Sequence, residues 1–352
     1  MSGNPLPDIR SVDRDDLESF MAGHGEKKFR AAQAWDWLWK NAASSFEEMS
    51  NLPAHVRQLL AAHYTFHRAS PYLTQDSSDG TRKTAFRLHD GLVVEGVLIP
   101  AGDRTTLCVS SQAGCALGCR FCATGKLGFL RNLEPGEIFD QVAGMPGLAT
   151  PGSNPAAARI SNIVFMGMGE PLLNYDRVKT AIERITSPEG LGISPQRITV
   201  SSVGIPKMIR RIADDGARWH FALSLHAATD EKRNRIIPFN LKHPLADLTE
   251  ALIHYTRKTG KRFTVEYILF GGFNDSVNDA RDLASFCRNF PVKINLIEYN
   301  PVKDTGFVPS APDRTKAFAA FLESRNLVVN LRESRGKDID AACGQLAGKP
   351  PT

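Results

Sequence analysis

The sequence predicts an α/β protein: a partial, TIM-like (β/α)6 barrel preceded by a helical region and a small β-element. Three observations predict it. From residue 104 onward, β-rich runs alternate with helical stretches of about 10–15 residues, the pattern of right-handed βαβ units in a parallel sheet. The first 100 residues lack that alternation. The 352-residue chain also exceeds one ordinary domain of ~100–200 residues.

The elements follow in order. Asp15–Met21 suits a short helix with acidic residues in its first turn. Lys27–Asn41, with Phe29, Ala32, Trp35, Trp37, Leu38 and Trp39 on a mixed but largely helical stripe, reads as a second helix, and Phe46–Leu60 as a third broken by Pro53. Thr84–Leu88 and Leu92–Ile99 are β-rich and flank Asp90-Gly91, a strong hairpin signal. A boundary is expected near Pro100–Asp103, giving an accessory region over residues 1–100 and a barrel over 101–352. Strands are expected over 106–110, 159–166, 197–201, 219–225, 262–269, 292–298 and 327–331, with helices over 135–142, 175–185, 206–214, 245–258, 278–289 and 313–324. In such a barrel, chemistry gathers at the C-terminal ends of the strands.

Composition bounds the function. Hydrophobic residues make up 42% and charged residues 23%, which excludes disordered and collagen-like chains. No stretch approaches the ~20 apolar residues of a membrane helix, and residues 1–16 lack the apolar core of a signal peptide, so a cytoplasmic protein is expected. The net charge of +5 permits a nucleic-acid partner without requiring one. Six cysteines are too few for a disulfide scaffold, yet three of them fall within eight residues.

Those three form Cys115-Ala-Leu-Gly-Cys119-Arg-Phe-Cys122, at the end of the first barrel strand. Three thiolates on one loop suit three irons of a [4Fe–4S] cube, leaving the fourth iron open; a closed zinc site would want a fourth ligand. The run resembles the radical S-adenosylmethionine superfamily, in which the open iron chelates S-adenosylmethionine and an electron cleaves it to a 5′-deoxyadenosyl radical. Met166-Gly-Met-Gly169-Glu170-Pro171 follows the next strand. Its glycines allow close backbone approach, and Glu170 is suited to an ammonium group. Polar tips also occur at Ser201, Ser224-Leu225-His226 and Asn300. His226 taken alone is an ordinary structural histidine.

Two further cysteines have distinctive settings: Cys108 in Cys-Val-Ser-Ser-Gln and Cys343 in Asp-Ile-Asp-Ala-Ala-Cys-Gly-Gln-Leu. With the cluster run, Met-Gly-Met-Gly-Glu-Pro-Leu-Leu-Asn and Ser-Leu-His-Ala, they resemble the RlmN/Cfr radical methyltransferases of RNA adenine over nearly the whole chain. The resemblance implies two molecules of S-adenosylmethionine per turnover. One methylates Cys343. The other yields the radical that removes hydrogen from the S-methyl group, and the resulting carbon joins the adenine. Cys108 then resolves the adduct through a transient disulfide with Cys343, and Glu95 is the proton acceptor. Cys115, Cys119 and Cys122 would hold the cluster, and Gly169, Glu170, Ser201, Ser224, Leu225, His226 and Asn300 would contact S-adenosylmethionine. Cys287 matches no motif and reads as helix core.

The motifs look like the branch that methylates carbon 2 of a 23S rRNA adenine, and tRNA beside the anticodon, rather than carbon 8 of the same rRNA base. The resemblance also implies an electron donor such as flavodoxin or ferredoxin and a monomeric enzyme. Lys27, Lys28, Arg30, Arg120, Lys126 and Arg131 are candidates for phosphate contact. Nine residues follow Cys343, fewer than the basic tail of many members. Two other classes remain open at this stage: a non-catalytic RNA-binding protein with zinc, and a radical enzyme for a small molecule that has no use for Cys343.

Overall fold

A computed structural model describes residues 6–145, 147 and 160–348. The chain opens with three helices, α1 (Arg14–Gly23), α2 (Lys28–Trp39) and α3 (Ala54–His63). Asp13 caps α1 by accepting from Asp16 N at 2.8 Å, and α3 starts directly after Pro53, whose fixed φ suits a helix entry. The apolar stripe of α2 buries Trp35, Leu38 and Trp39. Trp39 packs edge-on against Phe139, ring centroids 5.1 Å apart. Arg10 donates to Asp140 Oδ1 at 2.7 Å, and Ala69 N donates to Asp140 Oδ2 at 2.8 Å. A buried carboxylate paired on both oxygens fixes the helices against the rest of the molecule.

Next come β1 (Ser70–Asp76), β2 (Arg82–Arg87), β3 (Val93–Ala101) and β4 (Arg104–Cys108), consecutive antiparallel neighbours. The Asp90-Gly91 hairpin lies where the sequence indicates, with Arg87 opposite Val93 and Gly91 at positive φ. A small ribbon of β5 (Gln112–Gly114) and β6 (Phe129–Asn132) encloses α4 (Ala123–Lys126) and leads to α5 (Pro135–Ala143). The remaining elements alternate: β7 (Asn162–Phe165), α6 (Tyr175–Thr186), β8 (Ile198–Ser202), α7 (Pro206–Asp214), β9 (His220–Ser224), α8 (Asp230–Ile236), α9 (Leu245–Thr259), β10 (Phe263–Leu269), α10 (Val277–Cys287), β11 (Val292–Glu298), α11 (Pro312–Glu323) and β12 (Val328–Arg332).

From β4 through β7–β12 every neighbouring pair is parallel, and each crossover carries a helix, so the partial (β/α)6 architecture is present with β12 as an additional strand. The sheet is open, running β1-β2-β3-β4-β7-β8-β9-β10-β11-β12. β10, at its heart, is buried along its full length. Four features were not anticipated: β1, the β5–β6 ribbon, α4 and α8. β1 is an exposed edge strand with little apolar alternation, and the others are too short for a periodic signal. Residue 159 of the expected second barrel strand lies outside the described residues.

Candidate active site

The cysteine run leaves the ribbon rather than the barrel strand itself. Cys115 N donates to Gly128 O at 2.8 Å, closing the loop across β5 and β6. Gly114, at φ +73°, lies against that same Gly128 carbonyl, where a Cβ would collide. Cys122 N donates to Cys119 O at 3.2 Å, and Arg120 N to Ile236 O at 3.0 Å, which pins the loop to α8. Cys115, Cys119 and Cys122 line one cavity together with Gly169, Glu170, Ser201, Ser224, His226, Glu266 and Cys343.

Several polar side chains in this wall are held. Gly169 sits at φ +98°, and a Cβ there would lie 2.5 Å from Gln112 Cβ. Gln112 Oε1 in turn accepts from Glu170 N at 2.8 Å. The Glu170 carboxylate accepts from Leu172 N at 3.0 Å and Val203 N at 2.9 Å, and burial lifts it to about 7. Ser201 Oγ and Ser224 Oγ lie 3.0 Å apart. His226 has positive φ, and its Nδ1 accepts from Ile268 N at 3.1 Å. The ring proton therefore sits on Nε2, making the neutral ring a donor; burial, reinforced by Arg233, lowers its pKa to about 3. Leu225 and Asn300 do not join this lining. Leu225 is fully buried, its carbonyl accepting from Arg233 Nε at 3.1 Å, and Asn300 Nδ2 donates to Ser334 Oγ at 2.8 Å.

Cys343 belongs to two cavities. It lines the one just described and also a second, which it shares with Cys108, Met166 and Arg332. All six cysteines are free thiols. Cys343 is exposed, yet burial pushes its thiol up to about 12, with neighbouring Cys122 and Glu266 adding to the rise; its accessible surface is cavity wall. Cys108 is likewise pushed up to about 12 by burial, and then by Cys343.

The loop carrying Cys343 is anchored from three sides. Ala123 N donates to Gly344 O at 2.7 Å, and Thr124 Oγ1 to Leu346 O at 2.6 Å. Asp338 Oδ1 accepts from Ser77 Oγ at 2.5 Å, and Asp79 Oδ2 from Gly336 N at 2.9 Å, so the β1–β2 turn grips the loop. Glu95, buried in β3, accepts from Ala347 N at 2.8 Å and Gly348 N at 3.0 Å, with Lys83 Nζ 3.5 Å from its other oxygen. Glu95 also lines a third cavity of about 700 Å³, with Lys83, Lys126, Lys303, Asp340 and Gln345 among its walls. That is ample for a small molecule or a single nucleotide.

Sequence reasoning missed two residues that build the site. Arg233 is fully buried and ties Leu225 O and Val203 O together, and Asn274 donates to His226 O at 2.7 Å, holding its strained backbone. Arg233 stands in a charged helix that reads as solvated, so nothing marks it. Among the phosphate candidates, Arg131 is committed to Glu137 (2.7 Å) and Asp90 (2.5 Å), whereas Lys27, Lys28 and Arg120 are exposed.

Two family models match the chain. Residues 8–65 match the ribosomal RNA large subunit methyltransferase N-terminal domain, and residues 109–286 match the radical SAM superfamily. The chain is 50% identical over 342 residues to a probable dual-specificity RNA methyltransferase RlmN of Christiangramia forsetii, covering 97% of this chain and 96% of the relative. It belongs to the RlmN family. Another RlmN relative, the dual-specificity RNA methyltransferase of Anaeromyxobacter dehalogenans, is 44% identical, with 97% and 92% of the two chains covered. A crystal structure of a radical SAM methyltransferase from Sphaerobacter thermophilus superposes with a TM-score of 0.90 at 37% identity, covering 98% of this chain and 100% of that one.

An RlmN-family enzyme uses a [4Fe–4S] cluster and S-adenosylmethionine, and the donor set fits both. The cavity offers three soft thiol donors on one short loop, which lose their protons on binding iron. Among the described residues, no three His, Cys, Asp or Glu side chains are arranged around a single-ion position. A cube needs only that its three ligands face a common space. No helix among the described residues is long and apolar enough to cross a membrane.

Proposed function

We propose that this protein methylates carbon 2 of an adenine in 23S rRNA, and of one in tRNA, through an S-methylated Cys343. The observation that carries this reading is that Cys343 is a shared wall of two cavities, one with the cluster cysteines and one with Cys108. A radical enzyme for a small molecule, or a zinc-bearing RNA-binding protein, gives no reason for that arrangement.

Cys115, Cys119 and Cys122 would hold the cluster, which when bound supplies the electron for reductive cleavage of S-adenosylmethionine. Gly169, Glu170, Ser201, Ser224 and His226 are suited to bind that molecule, with Leu225 and Asn300 supporting the same strand ends. A methyl group taken onto Cys343 Sγ would give one hydrogen atom to the radical and bond through its carbon to C2 of the base, the surplus electron of the adduct passing back to the cluster. Glu95, on the wall of the cavity of about 700 Å³, takes the ring proton. Cys108 Sγ then attacks Cys343 Sγ; the S–C bond breaks with its electron pair passing to the methylene carbon, which takes up a proton, so the methylated base leaves and a disulfide remains for reduction. A base inside folded RNA must be extruded to enter. Residues 1–100 would help grip that RNA, and residues 101–352, joined by Glu95 from β3, carry the chemistry. The enzyme acts as a cytoplasmic monomer, with a flavodoxin or ferredoxin as electron donor.

The test is anaerobic incubation of cluster-reconstituted protein with S-adenosylmethionine, reductant and unmodified ribosomal RNA or tRNA, followed by mass spectrometry of the nucleosides. 2-Methyladenosine is expected. 8-Methyladenosine would move the assignment to the other carbon, and neither product would end it.

A further inference from the structure

One acceptor in the cluster-bearing cavity has no protein partner. Glu266 of β10 is 3% exposed, and it lines that cavity. Its Oε1 accepts from Asn295 Nδ2 at 2.8 Å, whereas Oε2 accepts no hydrogen bond. The nearest cation, Arg332, stands 3.9 Å away and is half exposed. Buried carboxylate oxygens are normally satisfied, so a lone one in a ligand cavity marks a place where the ligand completes the bonding.

The register explains how Glu266 is presented. Glu266 lies opposite Ser224 on β9 and Asn295 on β11, and Asn295 lies opposite Asn330 on β12. Asn330 Nδ2 donates to Asn295 Oδ1 at 3.1 Å, which leaves the Asn295 amide to donate to Glu266. Ser224 Oγ meets Ser201 Oγ on β8 at 3.0 Å. One polar row thus crosses five adjacent strands, with its β12 end exposed and Glu266 beside the two serines of the cavity wall.

We propose that Glu266 is a further S-adenosylmethionine-binding residue, its free oxygen accepting a hydrogen bond from a ribose hydroxyl. This rests on reading the cavity as the S-adenosylmethionine site. The occupant must supply a donor, and S-adenosylmethionine has three kinds: ammonium, ribose hydroxyls and the adenine amine. The Glu170 carboxylate is held by Val203 N just after β8 and Glu266 lies on β10, so the two carboxylates are two strand spacings of ~4.8 Å apart along the sheet. One ammonium cannot serve both. With the amino-acid end at Glu170, the serine pair between the two acids leads to the nucleoside, and its vicinal diol is the first donor to reach Glu266.

The experiment measures equilibrium binding of S-adenosylhomocysteine, which cannot methylate Cys343, to anaerobic cluster-loaded protein without reductant or RNA. The 2′-deoxy and 3′-deoxy forms are compared in wild type and Glu266→Gln. Loss of a charge-assisted hydrogen bond is expected to weaken binding about tenfold or more in the variant. At least one deoxy form should lose a similar factor in wild type and nothing further in the variant. Cluster absorbance equal to wild type shows that the variant's site is built. Binding by Glu266→Gln within twofold of wild type overturns the inference, as does wild type holding both deoxy forms as tightly as the parent, a measurement that needs no variant. Wild type with a full cluster and no binding at all overturns the reading of the cavity itself.

Discussion

Gly169→Ala should be far more damaging than its one added methyl suggests. Two separate effects act there. The backbone is at φ +98°, outside the usual left-handed well, so any side chain strains it by about 1–3 kcal/mol. The new Cβ would also lie 2.5 Å from Gln112 Cβ and 2.8 Å from Gln112 N. Gln112 cannot retreat without giving up its bonds from Glu170 N and to Asn132, each 2.8 Å, at about 1 kcal/mol apiece. The sum is roughly 4 kcal/mol from these two sources. Gly260→Ala isolates the first effect. Gly260 caps α9 at φ +65°, and a Cβ there meets nothing within 4 Å, so its cost is about 1 kcal/mol. The assay is urea unfolding of both variants beside wild type, with S-adenosylhomocysteine binding as the second readout. Gly260→Ala should bind normally, whereas Gly169→Ala should lose binding, because moving Gln112 releases Glu170. Equal destabilisation by the two substitutions would refute the reasoning.

Cys343→Ala should abolish RNA methylation while keeping the cluster's visible absorbance, because the donors proposed for the cluster are Cys115, Cys119 and Cys122 and not Cys343. Cys108→Ala should instead accumulate a protein–RNA adduct, seen as a retarded band on a denaturing gel; rapid turnover with no adduct would remove Cys108 from the resolving role. Glu95→Gln should trap the same adduct, and because Glu95 accepts from Ala347 and Gly348, it should also raise hydrogen exchange in residues 343–348. The Asp79 carboxylate is opposed by burial but held well below the usual range by the Gly336 N–H and then by Thr81 and Ser77. A carboxylate with a depressed folded pKa contributes stability that is complete above about pH 4 and is lost as pH falls through the folded value. Protease cutting within 333–346 should therefore stay flat from pH 8 to pH 5 and rise only in stronger acid, whereas Asp79→Ala should be cut readily throughout.

The elements with strong periodicity were legible in advance. The six crossover helices begin and end within a few residues of expectation, because each carries an apolar face against β-strands that are nearly continuous hydrophobic runs. The cluster loop was legible because three cysteines at that spacing have few other uses. Arg233 and Glu266 were not. A buried arginine in a charged helix and a buried glutamate in a strand read locally as solvated residues. Only the tertiary path, which stacks β8 to β12 in register, sets them beside the cavity. Arg131 shows the opposite error: a basic residue next to the cluster looks available for phosphate, but Asp90 and Glu137, 41 and 6 residues away, already neutralise it.

The Cys343 loop explains why the antiparallel strands belong with the barrel's chemistry. Seven parallel strands leave β4 and β12 without further parallel neighbours, and β4 takes β3 as its partner. That junction brings four loop anchors to one side: Glu95 from β3, Lys83 from β2 through Asp340 O at 3.4 Å, and Ser77 and Asp79 from the turn between β1 and β2. A fifth, Thr124, comes from α4 immediately after the cysteine run. The loop itself changes direction at positive φ at Gly336, Asp340, Gly344 and Gly348, so its own backbone gives it no regular ladder to hold it. Its position is therefore set by side chains of other elements and by its own Ala341 and Leu346, which are buried in the core. Such a loop is well placed and, with no ladder of its own, can still be released locally. A residue that must meet one partner on the cluster side and another at Cys108 needs that combination. The anchors on β2, β3 and the β1–β2 turn accordingly act on Cys343 as directly as the barrel does.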